Sequence, residues 1–151
     1  MTNDDTAVQA HTQVKTSRYL MHYPEHPARA DDPHYVDFEA YRKAHIGTAR
    51  CAIGLHRSDY SECSSGDSNR GLELHHSHVE FSLQNGIDLA WLEPDYPGIS
   101  DPDQEGAWVE SGANLIFLCE FHHRGAGGVH TSSASDYEAE KYVKGLISAA
   151  S

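Results

Sequence analysis

Six of the chain's 12 histidines fall in two short stretches, His75, His76 and His78 in the first and His122, His123 and His130 in the second. Imidazole titrates near neutrality and is the commonest metal ligand. Two such stretches point to a fold that brings distant pieces of chain around one site. The first stretch, GLELHHSHV, reads as a short strand running into a loop, with Leu72, Leu74 and Val79 as apolar anchors. Just before the second, residues 107–118 carry Trp108, Val109, Leu115, Ile116, Phe117 and Leu118, which return the chain to the core. Successive strand residues face opposite sides. His75 and His76 therefore address different partners.

A length of 151 residues suits one domain with a modest core. No apolar run approaches a membrane span, and the N-terminus has no apolar segment behind a basic start. The expectation is a soluble, cytoplasmic protein with no membrane contact, inside a bacterial host if phage-encoded. Three cysteines, Cys51, Cys63 and Cys119, are too few and too odd in number for a disulfide framework. In a reducing compartment, cysteine near histidine is more often a metal site. The net charge of −12 argues against tight, non-specific nucleic-acid binding, which draws on Lys and Arg. The acids are uneven, however. Asp88, Glu93, Asp95, Asp101, Asp103, Glu105 and Glu110 follow one another with no Lys or Arg between them. Such a segment can lie away from a substrate groove, and a bound divalent metal would add positive charge at the site itself.

Residues 1–32 are polar and aperiodic and read as a flexible arm. Asp32-Pro33 looks like a helix start, and Tyr35, Phe38, Tyr41 and Ile46 share a face, predicting a helix over about 33–46. Residues 51–69 are rich in Ser, Gly and Asp and read as loop, as do residues 93–106 with their three prolines. Ser135 and Glu138 have capping-box spacing ahead of Ala139, Tyr142, Val143, Leu146 and Ile147, predicting a last helix over about 135–149.

The segment LELHHSHVE resembles the first half of an HNH motif, and NLIFLCEFHH the second half. Both halves occur in order with the expected local spacing. Over roughly residues 50–148 the chain is similar to short HNH endonucleases of actinobacteria and their phages. The resemblance implies an α+β fold, with a small ββα-metal (HNH) core, flanking helices and an acidic insertion at about 80–113. It implies that His75 and His123 hold one divalent metal (Mg, Mn, Ni or Zn) and that His76 is the general base. Asn114 would orient that base or its loop. His130 would be an extra ligand or neighbour of the site, and Arg124 a phosphate clamp. Relatives carry two cysteine knuckles. Here the second reads Cys119-Glu120-Phe121-His122, and the first lacks its partner. A structural zinc site of Cys51, His56, Cys119 and His122 is the expectation. Cys63 is the alternative to His56, although its Ser-rich loop favours exposure. The competing view is that Cys51 and Cys119 are simply small buried apolar residues.

The expected function is metal-dependent hydrolysis of phosphodiester bonds in nucleic acid, with DNA suggested by the resemblance alone. Two alternatives stay open. One is a non-catalytic zinc-binding module. The other is an accessory factor of a phage or bacterial DNA-processing complex, in which a protein partner supplies the basic DNA-binding surface.

Overall fold

The computed structural model describes residues 7–150, so the first six residues of the expected arm lie outside it. From residue 7 to residue 28 the chain has no regular element. A 3-10 turn at Arg29–Asp31 leads into α1 (Tyr35–His45). This helix starts two residues later than Asp32-Pro33 suggested. Asp32 still caps the turn, its Oδ1 accepting from the His34 backbone N–H at 2.9 Å. The aromatic face of α1 is its packing face. Phe38 stacks on the His76 ring at 5.5 Å, and Tyr41 lies over Phe117 at 6.3 Å.

Residues 51–69, expected to be loop throughout, contain α2 (Ala52–Arg57). Its six residues are too few for a periodic signal. It exists because Ile53 and Gly54 bury themselves in the core. Ser58, in the left-handed region at φ 53°, ends it. β1 (Glu73–His76) then pairs antiparallel with β2 (Leu115–Leu118), in a register that sets Glu73 against Leu118 and His76 against Leu115. Between the strands run a 3-10 turn at Phe81–Gly86, α3 (Leu89–Leu92) and α4 (Pro102–Val109). The acidic segment is thus folded. Asp88 and Asp101 cap its two helices, accepting from Ala90 N and Gln104 N.

After β2, α5 (Glu120–His123) follows Cys119 directly. The last helix is α6 (Ala134–Ala139), capped by Ser133 rather than Ser135. It is shorter than the expected 135–149. Its would-be apolar stripe finds no core, and Tyr142, Val143 and Leu146 stay exposed. Glu62 accepts from the Gly145 N–H at 2.7 Å, with Gly145 at φ +69°, and draws the chain into a turn. The fold is a small mixed α+β arrangement around one two-stranded sheet. Its buried cluster is Cys51, Ile53, Leu72, Phe117, Leu118 and Cys119. No helix among the described residues is long and apolar enough to cross a membrane.

His34 ties α1 to α4. Its Nδ1 meets Asp37 Oδ2 at 2.7 Å and its Nε2 meets Asp103 Oδ1 at 2.9 Å. A side chain at Gly106 would press on that ring, at 2.6 Å from His34 Cδ2. The bond to Asp37 raises the His34 pKa, against the pull of partial burial, and Asp103 adds to it. A pKa raised in the folded state gives stability that is full below the unfolded value of about 6.5 and lost as pH rises through the folded value. We therefore expect His34→Ala to lower the melting temperature at about pH 5.5 and to match the parent near pH 9. A gap that stays constant across that range would show that packing, not charge, is what His34 supplies.

Candidate functional site

Two groups of ligand-type side chains assemble around the sheet. The first is Cys51, Cys63, Cys119 and His122. Cys51 precedes α2, Cys63 comes from the serine-rich loop, Cys119 ends β2 and His122 lies on α5. Cys51, Cys119 and His122 are essentially fully buried, and Cys63 is half-buried. The fourth member is therefore Cys63 and not the expected His56. The His56 ring packs edge-on against Tyr142 instead, at 5.4 Å. The turn of α2 explains the exchange. Ile53 and Gly54 face inward from this helix, and the Gly54 position lies against Tyr60 and the Cys63 sulfur. The loop returns through Tyr60 to bring Cys63 under Cys51, a closure that neither spacing nor composition encodes.

The donor set can be tested against a metal. His122 Nδ1 lies 3.7 Å from Cys51 Sγ, 3.8 Å from Cys63 Sγ and 3.3 Å from Cys119 Sγ. Zn–S bonds of about 2.3 Å and Zn–N bonds of about 2.0 Å in a tetrahedron put S and N about 3.5 Å apart. Contacts with the other two thiols and with His122 pull the Cys119 pKa down. Cys119 first, then Cys51 and burial, push Cys63 up. A buried thiolate among sulfur and imidazole donors is a zinc-type ligand set. On its far side His122 Nε2 faces the buried Glu140 carboxylate at 3.7 Å.

The second group is His75, His123 and His130, whose ligand atoms all lie within 4.8 Å of one another. His75 comes from β1 and His123 from the end of α5. His130 follows a glycine-rich turn, and its N–H bonds back to the His123 carbonyl at 3.2 Å. Gly128 permits that return, since a Cβ there would stand 2.5 Å from the His123 carbonyl oxygen. The two Nε2 atoms of His123 and His130 face each other at 3.1 Å, close to the roughly 3.3 Å edge of a tetrahedral metal–nitrogen site. Burial lowers the His75 pKa to about 4, with His123 and His130 adding to the effect. Its ring is neutral at pH 7, the form that binds metal. His75 Nδ1 is buried and has no hydrogen-bond partner. Glu73 shares the strand face of His75 and meets His123 Nδ1 at 2.9 Å, which leaves His123 Nε2 free to donate its lone pair. These three imidazoles fit a divalent cation.

His76 points to the opposite face. Its Nε2 donates to Glu110 Oε2 at 3.0 Å, and its Nδ1 faces Glu80 Oε2 at 3.6 Å. Burial alone would lower its pKa, but the Glu110 bond and then Glu80 outweigh that and raise it to about 8. Glu110 is 1% exposed and carries a two-pronged contact from Arg29, at 2.9 and 3.0 Å. Glu80 stands between the two halves of the site, because its other oxygen lies 3.7 Å from His130 Nε2. His75, His76, Glu80, His123 and His130 open on one cleft of 510 Å³, lined also by Tyr19, Met21 and Tyr23.

Asn114 is fully buried and works entirely on backbone. Its Oδ1 accepts from the His78 and Val79 N–H groups at 2.8 and 3.0 Å, and its Nδ2 donates to the carbonyls of Val79 and Val109. It clamps the loop that leaves His76. His78 itself turns outward, against Tyr96. Arg124, expected to grip phosphate, is already held by both oxygens of Glu73. Sequence reasoning missed Glu73, Glu80 and Glu110 as parts of the site. Only Glu73 had a visible signal, two residues before His75 on the same strand face.

Comparisons with family models, with curated proteins and with solved structures find no match for this chain.

Two outcomes follow from this geometry. The parent should co-purify with bound metal, Cys63→Ala should lose most of it and melt well below the parent, and His56→Ala should keep both. Metal content by mass spectrometry and a thermal melt read this, and the reverse pattern would restore His56 as the ligand. Arg29→Ala should cost about 1–3 kcal/mol in urea unfolding, because it leaves the buried Glu110 carboxylate with His76 as its remaining charged partner and Oε1 without a contact.

Proposed function

We propose that the chain is a metal-dependent endonuclease of the HNH (ββα-metal) type, acting on phosphodiester bonds. The observation that carries this is the convergence, in one cleft, of His75, His123 and His130 with His76 on the other face of the same strand. Further support comes from the element order. With the inserted α3 and α4 set aside, two short antiparallel strands, the second followed at once by the turn of helix bearing His123, match the order of a ββα-metal core. The loop clamp made by Asn114 fits the role the resemblance assigns to the central asparagine.

Phosphodiester hydrolysis needs a nucleophilic water, a sink for charge on the phosphorane and help for the departing oxygen. A divalent cation held by His75, His123 and His130 would supply the last two as a Lewis acid. Once deprotonated, as pH rises through its pKa of about 8, His76 would accept the water's proton at Nδ1, since its Nε2 is committed to Glu110. Cleavage should therefore rise between about pH 7 and 9. Glu110 strengthens that base and fixes its ring, and Arg29 keeps Glu110 in place. Glu80, facing both His76 and His130, is positioned to hold the water between them. A second cation at Cys51, Cys63, Cys119 and His122 would be structural, because this closed set leaves no open position. DNA is the substrate suggested by the resemblance.

The second reading is a zinc-binding module without catalysis, alone or as an accessory factor beside a basic partner. What favours it is charge, −12 for the whole chain. A plasmid-nicking assay with Mg²⁺, Mn²⁺, Ni²⁺ or Zn²⁺ separates the two. We expect cleavage that needs added metal. His76→Ala and His123→Ala should each reduce it by at least about a hundredfold, measured well below the melting temperature of each variant, which for His76→Ala should fall because Glu110 and Phe38 lose a partner. Equal cutting by His76→Ala and parent would remove the base from the scheme. No cutting with any of the four metals would favour the binding module.

A further inference from the structure

The segment before Arg29 does more than connect. Tyr19, Met21 and Tyr23 all line the cleft that holds His75, His76 and His130. They alternate, as an extended chain requires if one side is to face one surface. Leu20 between them is 83% exposed. The segment is tied down on both sides of the cleft. Lys15 bonds Asp136 at 2.6 Å on one side. On the other, Asn85 donates to the Glu25 carbonyl at 2.9 Å and His26 packs edge-on against Phe81. It forms a strap across the mouth of the cleft.

Charge decides what such a strap can hold. Of the chain's 11 Lys and Arg residues, Lys15, Arg29, Arg50, Arg57, Arg124, Lys141 and Lys144 are engaged with carboxylates. A duplex is gripped mainly through its phosphates, and this surface has few cations left to do it. A cleft of 510 Å³ under a strap also admits a nucleotide or two, not a double helix. Two tyrosines remain largely open, Tyr19 at 75% and Tyr23 at 58%. Aromatic faces bind bases by stacking, with little regard to sequence and without needing charge. Four extended residues separate them by about 13 Å, so each would meet a different base.

We propose that the strap is a stacking platform and that the cleft takes single-stranded nucleic acid, with bases on Tyr19 and Tyr23 and the backbone directed toward the histidine cluster. This rests on the nuclease reading for what happens to the strand, but binding can be measured apart from cutting. The test is fluorescence anisotropy on the full chain. The probes are short labelled oligothymidylate, oligouridylate and a DNA duplex, each with a phosphorothioate backbone that resists hydrolysis. We expect at least one single strand to bind about tenfold or more tighter than the duplex, with a shallow salt dependence. The two single strands distinguish DNA from RNA. The double variant Tyr19→Ala/Tyr23→Ala should weaken single-strand binding by about tenfold or more, and Tyr19→Phe/Tyr23→Phe should stay within about twofold of the parent. Both tyrosines are exposed, so both variants should melt like the parent. Duplex binding as tight as single-strand binding overturns the proposal, as does an alanine pair that binds normally. A chain that nicks plasmid while the alanine pair changes nothing keeps the nuclease and loses the platform. A chain that binds single strands through the tyrosines and cuts nothing does the opposite.

Discussion

Two strands of four residues cannot hold together in water unaided. In this chain they are held by the buried meeting of Cys51, Cys63, Cys119 and His122 beneath one end of the pair. That cluster joins the start of α2, the serine-rich loop, the end of β2 and α5 in one place. Leu118 and Ile53, fully buried beside it, supply the apolar part of the same contact. Everything at the histidine site inherits its position from this point. His123 is one residue past His122, and the strand that presents His75 and His76 is paired with the one that ends in Cys119.

The two faces of β1 carry two kinds of chemistry for one geometric reason, the alternation of side chains along a strand. On one face His75 joins His123 and His130, with Glu73 orienting His123 from behind. Desolvation keeps His75 neutral there. On the other face His76 is locked between Glu110 and Glu80 under the Phe38 ring, and carboxylates raise its pKa instead. Neighbouring residues of the same type thus differ in charge state because one faces imidazoles and the other faces acids. Glu110, at the end of the acidic segment, shows that this segment is not merely a solvated decoration. Two of its acids, Glu105 and Glu110, are buried, and Glu110 organises the site.

LELHH announced β1 and its histidines and NLIFLCEFHH a return of the chain to the core beside more histidines, because alternation and apolar runs are local signals. The carboxylates Glu80 and Glu110 were not legible as site residues. Each is an ordinary acid in its own stretch of chain, and each acquires meaning only from a partner brought across the fold. The exchange of His56 for Cys63 has the same origin. In sequence His56 is the nearer candidate to Cys51. In three dimensions α2 carries it to the Tyr142 side, and a turn through Tyr60 brings Cys63 back. The last helix failed beyond Ala139 because a stripe of apolar residues is helical only where there is something to pack against.

By itself, the order of residues determined which side chains could do chemistry, that His75 and His76 would face apart, and that acids would outnumber bases. Those properties depend on residue type and on spacing within a single element. The tertiary structure alone decided that His130 joins His75 and His123, and that Cys63 completes the buried cluster. It also decided that Arg29 and Glu110 stand behind His76 and that Tyr19 and Tyr23 overhang the cleft. These are contacts between residues far apart in sequence, and only the closure of loops around a common core makes them neighbours.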